Sequence, residues 1–142
     1  MTRNGGGVWA QTIFYPMMHA SRYGRGTALR PIVTSPVYDC KDYERVPLVD
    51  AAATLGDDGS LTVFAINRSM DEDIELDFDL RAFGDLKAQE HIVLHHDDVK
   101  AVNTEANPDN VVPAPGTPVR IDGGKASVVL PALSWNVMRF KK

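Results

Sequence analysis

The sequence has 142 residues, of which 44% are hydrophobic and 24% charged, and its formal net charge is -4. That is the size of one ordinary domain with enough apolar residues to bury a core, and the acidic balance excludes a basic surface for a phosphate backbone or an anionic membrane. Cys40 is the only cysteine, so no intrachain disulfide forms and a thiolate metal site lacks its other ligands.

The opening residues carry no apolar core of signal-peptide length, and no run approaches the roughly 20 apolar residues that span a bilayer. The expectation is a cytoplasmic protein with neither a membrane nor a nucleic-acid partner. Gly5-Gly6-Gly7 lacks the Gly-x-Gly-x-x-Gly order and any strand before it, so it reads as a flexible loop rather than a phosphate cradle. The one good helical stretch follows, bounded by these glycines and by Gly24 and Gly26. Thr12 is placed to cap it, Pro16 lies near the start where a missing amide costs least, and Ile13, Met17 and Ala20 share a face that Phe14 and Met18 widen. A short amphipathic helix buries such a stripe only against something else, and packing on the domain that follows is one reading of the pattern alone.

From about Leu29 the period changes to two and breakers multiply, which is an all-β signature. Val49, Ala51, Ala53 and Leu55 alternate, Gly56-Asp57-Asp58-Gly59 is a tight turn, and Leu61 to Ile66 is apolar on both faces, as a central strand is. In Ile74 to Leu80 the apolar side chains point inward, and Asp73, Glu75, Asp77 and Asp79 form a solvated face rather than a catalytic pair. Leu86 to Leu94, Lys125 to Leu130 and Ser134 to Phe140 are further strands. Roughly seven short strands at this spacing favour a two-sheet sandwich. The long irregular stretch His95 to Pro118 is of a kind that is functional or packed against a neighbour.

Few residues offer chemistry. His95-His96-Asp97-Asp98 is the densest group of ligand types, but adjacent side chains point apart and no second ligand pair supports them, so Asp97 and Asp98 read as turn-forming. Glycoside hydrolysis needs two carboxylic acids facing each other across about 5 to 9.5 Å, and no pair here does so convincingly. Ser134 and Ser21 lack nucleophile-elbow glycines. No metal and no cofactor is expected. Among the aromatics, Trp135 alternates with Val137 and reads as packing, whereas Trp9 stands in a glycine-rich loop where a core role is harder to assign.

The run Trp9-Ala10-Gln11-Thr12-Ile13-Phe14-Tyr15-Pro16-Met17-Met18-His19-Ala20-Ser21-Arg22-Tyr23-Gly24-Arg25-Gly26 resembles a segment of the family 51 glycoside hydrolases, the α-L-arabinofuranosidases. Asp42-Tyr43, Val46-Pro47, the stretch Glu90 to Thr104 and Leu133-Ser134-Trp135-Asn136-Val137 resemble the same family in the same order, so the likeness runs along essentially the whole chain. The resemblance implies a jelly-roll-like β-sandwich preceded by the last helix of a (β/α)8 barrel, with residues 1–28 as the last barrel loop and helix and residues 29–142 as the accessory sandwich. In that family the barrel holds the active site at the C-terminal ends of its strands, and the helix stripe then belongs against a barrel wall.

The resemblance also implies hydrolysis of terminal non-reducing α-L-arabinofuranosyl groups, with both catalytic glutamates on barrel segments absent from this chain. No catalytic residue is therefore expected here. Gln11 matches the family's glutamine that hydrogen-bonds arabinose, and Trp9 stands where it walls the pocket; Ala10 replaces the arginine usual between them. The implied partners are the chain's own barrel, arabinose-containing oligosaccharides in the complete enzyme, and further copies in a homo-oligomer. The rival expectation is a stand-alone carbohydrate-binding sandwich, which requires a flat row of exposed rings such as Trp9 or Tyr43.

Overall fold

The structure, a computed structural model, describes residues 4–142. Its elements are α1 (Phe14–Tyr23), β1 (Thr27–Leu29), β2 (Val37–Cys40), β3 (Tyr43–Pro47), β4 (Val49–Leu55), β5 (Leu61–Asn67), β6 (Ile74–Asp79), a 3-10 turn Arg81–Phe83, β7 (Lys87–Leu94), β8 (Ala114–Pro115), β9 (Arg120–Asp122), β10 (Lys125–Leu130) and β11 (Ser134–Lys141). The expected two-sheet sandwich behind one helix is what forms. A six-stranded sheet has the order β1-β4-β5-β11-β7-β8, a three-stranded sheet the order β6-β10-β9, and β2 with β3 makes a separate two-stranded hairpin. Every pairing is antiparallel.

The register follows from the alternation. Val49, Ala51 and Ala53 of β4 stand beside Asn67, Ala65 and Val63 of β5, and Asn136, Met138 and Phe140 of β11 stand beside Ala65, Val63 and Leu61. This common face meets Ala126, Val128 and Leu130 of β10 together with Ile74, Leu76 and Phe78 of β6. Phe78 and Phe140 touch edge to face across the gap, with ring centroids 6.1 Å apart. Each such side chain withdrawn fully from water contributes about 1.5–3 kcal/mol. On β6 the carboxylates of Glu75, Asp77 and Asp79 are exposed, as the alternation predicts. Asp79 is held far below the usual carboxylate range by the Arg81 side chain and its backbone amide.

Strand β5 is buried on both sides because its outward side chains, Thr62 and Phe64, lie under α1 and its neighbours rather than in water. Two glycines permit close approaches. Gly26 has φ 119, and a Cβ there would stand 2.2 Å from the Leu55 carbonyl oxygen. A Cβ on Gly116 would stand 2.3 Å from Nδ1 of His91. The helix start differs from expectation. Thr12 does not cap it: the N-cap position is Ile13, no side chain caps the helix, and the Thr12 and Gln11 carbonyls accept from Tyr15 and Phe14. Pro16 sits in the first turn, where amides have no intrahelical acceptor to lose.

Candidate functional site

Residues 7–11 are attached to the sandwich by a loop nearly a hundred residues further along the chain. Trp9 Nε1 donates to the Asn103 carbonyl at 3.1 Å, and Gln11 Nε2 donates to the same oxygen at 3.4 Å. Asn103 Nδ2 donates in return to the Ala10 carbonyl at 3.0 Å. The Gly7 amide donates to Glu105 Oε1 at 3.0 Å. The gripping loop is built by its asparagines: Asn103 pairs with both backbone groups of Val111, Asn107 closes a turn on Thr104, and Asn110 donates to the Val102 carbonyl. Trp9 and Gln11, singled out from the sequence, are thus brought together, both half-buried. Asn103, which is 2% exposed, was not legible as their partner, because nothing local links positions so far apart.

Helix α1 lies on the outer face of the six-stranded sheet, but not through its apolar stripe. The row facing the strands is His19 and Tyr23: Trp135 Nε1 donates to His19 Nδ1 at 3.3 Å, and the Arg139 guanidinium stands 4.3 Å over the Tyr23 ring. His19 is 3% exposed, whereas Ile13, Phe14 and Met17 are 68%, 51% and 67% exposed. Of the two readings of the stripe, packing on the following domain is thus not the one that forms: a polar imidazole is buried there because Trp135 supplies its hydrogen bond. Beside the helix an open apolar groove of about 310 Å³ runs between Ala20 and Ala51, Ala52, Phe64, Ile66 and Trp135.

The remaining candidates resolve into local structure. His95 Nε2 contacts Asp97, the Asp98 amide donates to His96 Nδ1, and Asp98 accepts from the Lys100 amide, which is the turn reading of these aspartates. Among the described residues no three His, Cys, Asp or Glu side chains gather as a metal site. Ser134 donates to the Pro131 carbonyl and accepts from Asn136, whose Oδ1 contacts Nε2 of His91. This buried chain has no solvent-facing hydroxyl and orders the core. Trp135 is half-buried beneath α1, 5.7 Å from the Phe64 ring, which is packing rather than a sugar platform. Tyr43 and Tyr38, 71% and 37% exposed, occupy different strands of the detached hairpin, whereas Trp9 lies in the loop before α1 and Trp135 in β11 of the main sheet.

The fold and site thus define a helix-bearing β-sandwich of accessory type, with a gripped N-terminal loop and an uncovered helix face. Residues 1–134 match the family described as the α-L-arabinofuranosidase C-terminal domain, and the chain belongs to that family. It is 46% identical to an intracellular exo-alpha-(1->5)-L-arabinofuranosidase of Bacillus subtilis, over 100% of this chain and 28% of that protein. It is 36% identical to an exo-alpha-(1->6)-L-arabinofuranosidase of Bifidobacterium longum, over 99% of this chain and 28% of that one. A solved family 51 alpha-L-arabinofuranosidase from Bifidobacterium longum superposes with a TM-score of 0.91 at 32% identity, covering 99% of this chain and 28% of that one. The chain accordingly spans 28% of the length of these relatives and corresponds to their C-terminal accessory domain. Among the described residues no helix is long and apolar enough to cross a membrane.

Proposed function

We propose that this chain completes a catalytic (β/α)8 barrel, with residues 1–28 supplying the last barrel loop and helix and residues 29–142 the sandwich that holds them. The complete enzyme releases L-arabinose from terminal α-L-arabinofuranosyl groups, and this chain alone hydrolyses nothing. The observation that carries the reading is the outward stripe of α1: Ile13, Phe14 and Met17 are left in water beside an apolar groove, and a helix held on its sheet by His19 and Tyr23 has its other face free for a second layer.

Within that enzyme Gln11 hydrogen-bonds the arabinofuranosyl group and Trp9 walls its pocket, while the nucleophile and the acid/base belong to the barrel. Relatives of comparable coverage are named for 1->5 and for 1->6 linkages, which supports placing the determinants of linkage outside this domain. The names of intracellular relatives support a cytoplasmic enzyme. A homo-oligomer is the proposed assembly.

The test is co-expression of this chain with the Bacillus subtilis relative shortened by its matching segment. A stoichiometric complex in sedimentation velocity is expected, and Met17→Glu should abolish it. Two species that sediment independently, or a complex indifferent to Met17→Glu, would refute the docking.

A further inference from the structure

The loop that carries Gln11 is tied to a part of the sandwich far away in sequence. It follows three glycines, Ala10 offers only a methyl group, and no side chain caps the helix behind it. Beside the bond from the Gly7 amide to Glu105, Asn103 ties it down at three further points. That residue's carbonyl accepts from Trp9 Nε1 at 3.1 Å and Gln11 Nε2 at 3.4 Å, while Nδ2 donates to the Ala10 carbonyl at 3.0 Å and the Val111 carbonyl at 2.9 Å. Oδ1 accepts from the Val111 amide at 2.7 Å. Both Nδ2 hydrogens are used, and at 2% exposure water has little access to replace a lost bond.

We propose that Asn103 is the positioning residue for Gln11, so that the sandwich sets where the Gln11 amide meets the sugar. The inference rests on the proposed contact between Gln11 and an arabinofuranosyl group. The chemistry suits the purpose. Once one N–H of Gln11 is tied to Asn103, the amide keeps a second N–H and its carbonyl, a donor and an acceptor matched to the hydroxyls of a pentofuranose. The tie fixes the direction of that pair, and an error of about 1 Å in such placement costs on the order of a hundredfold in rate. Asp cannot substitute, because a carboxylate at this position has no hydrogen to offer the Ala10 and Val111 carbonyls.

The experiment uses this chain joined behind the barrel of the Bacillus subtilis relative in place of that protein's own matching segment, assayed on an aryl α-L-arabinofuranoside. Gln11→Ala should lower kcat/KM by about ten- to a hundredfold, on the scale of a misplaced contact. Asn103→Asp and Asn103→Ala keep the backbone carbonyl but release its side chain from Ala10 and Val111, so each should lower it at least tenfold, and the double variant Gln11→Ala with Asn103→Ala should be no worse than Gln11→Ala alone, because the displaced carbonyl acts through Gln11. Wild-type kcat/KM in Asn103→Asp beside an impaired Gln11→Ala would overturn the proposal, as would losses that multiply in the double variant.

If Gln11→Ala is itself unimpaired, the sugar contact is refuted, and the tie is then judged by the Trp9 indole N–H proton resonance. That signal should shift and lose exchange protection in Asn103→Asp, with the Trp135 indole as internal control. An unchanged Trp9 signal would overturn the tie as well. Loss of the sandwich itself in both Asn103 variants would also overturn the proposal, by making Asn103 a folding residue.

Discussion

Trp135 donates its indole N–H to Nδ1 of His19 across 3.3 Å, joining β11 to α1 over 116 residues of sequence. The bond requires His19 to be neutral at Nδ1. Burial lowers His19 below the ordinary imidazole value of 6.5; the carboxylate of Glu90 opposes this and the guanidinium of Arg22 adds to it. The unfolded chain therefore takes up the proton first as pH falls.

This gives a pH dependence of definite sign. The stabilisation from neutral His19 is complete above pH 6.5 and is lost progressively as pH drops below 6.5 toward the lowered folded value. Asp58 and Asp79 are also held below their ordinary 3.8, so their losses begin only at lower pH. Thermal unfolding followed by tryptophan fluorescence should show Tm falling below pH 6.5 in the wild type and a flatter profile in His19→Phe. Equal slopes in the two proteins would contradict the assignment.

The helix face makes a second prediction. Met17 is 67% exposed, so Met17→Glu should change the stability of the isolated chain by no more than about 0.5 kcal/mol. The same substitution should convert a self-associating chain to a monomer, because the stripe of Ile13, Phe14 and Met17 is the apolar surface left without its second layer. Light scattering of both proteins across a concentration series checks this. A wild type that stays monomeric, with α1 fully protected from amide exchange, would count against an orphaned stripe.

The core and the hairpin should respond very differently to truncation. Phe140 is 1% exposed and meets Phe78 across the sandwich, so Phe140→Ala should cost about 3–5 kcal/mol. Tyr43 is 71% exposed on the detached hairpin, and Tyr43→Ala should stay within about 0.5 kcal/mol. Urea denaturation reads both. A large loss at Tyr43 would mean that the hairpin packs on something within this chain.

At Gly116 a methyl group has nowhere to go, since the added carbon would fall 2.3 Å from His91 Nδ1 and 2.5 Å from Val93 Cγ2. Gly116→Ala should destabilise by about 1–3 kcal/mol through forced displacement of the packed His91 ring. It should also perturb the His91 ring protons in NMR, because that ring spans Thr117 and Asn136. Unchanged ring shifts would argue against the contact.

What the sequence made legible follows from the range of the forces involved. The alternation of Ile74, Leu76 and Phe78 and the double-sided apolar run of β5 are written locally, so both strands could be read directly. Strands β1, β2, β3, β8 and β9 were not distinguished, because they are short and mostly exposed. The face that α1 turns to the sheet was not legible for a different reason. An apolar stripe predicts burial against something, and only the full-length resemblance pointed away from the sandwich, while His19 was claimed for the sheet by a tryptophan 116 residues distant. Gln11 and Trp9 came from resemblance, and Asn103 came only from the fold.

The central claim is that this domain completes an active site it does not itself contain. It is tested most directly by incubating the pure chain, and the chain joined behind the relative's barrel, with an aryl α-L-arabinofuranoside. Turnover by the joined protein, and none by the chain alone above a heat-killed control, is the predicted result. Hydrolysis by the 142-residue chain alone, or a folded joined protein without activity, would contradict it.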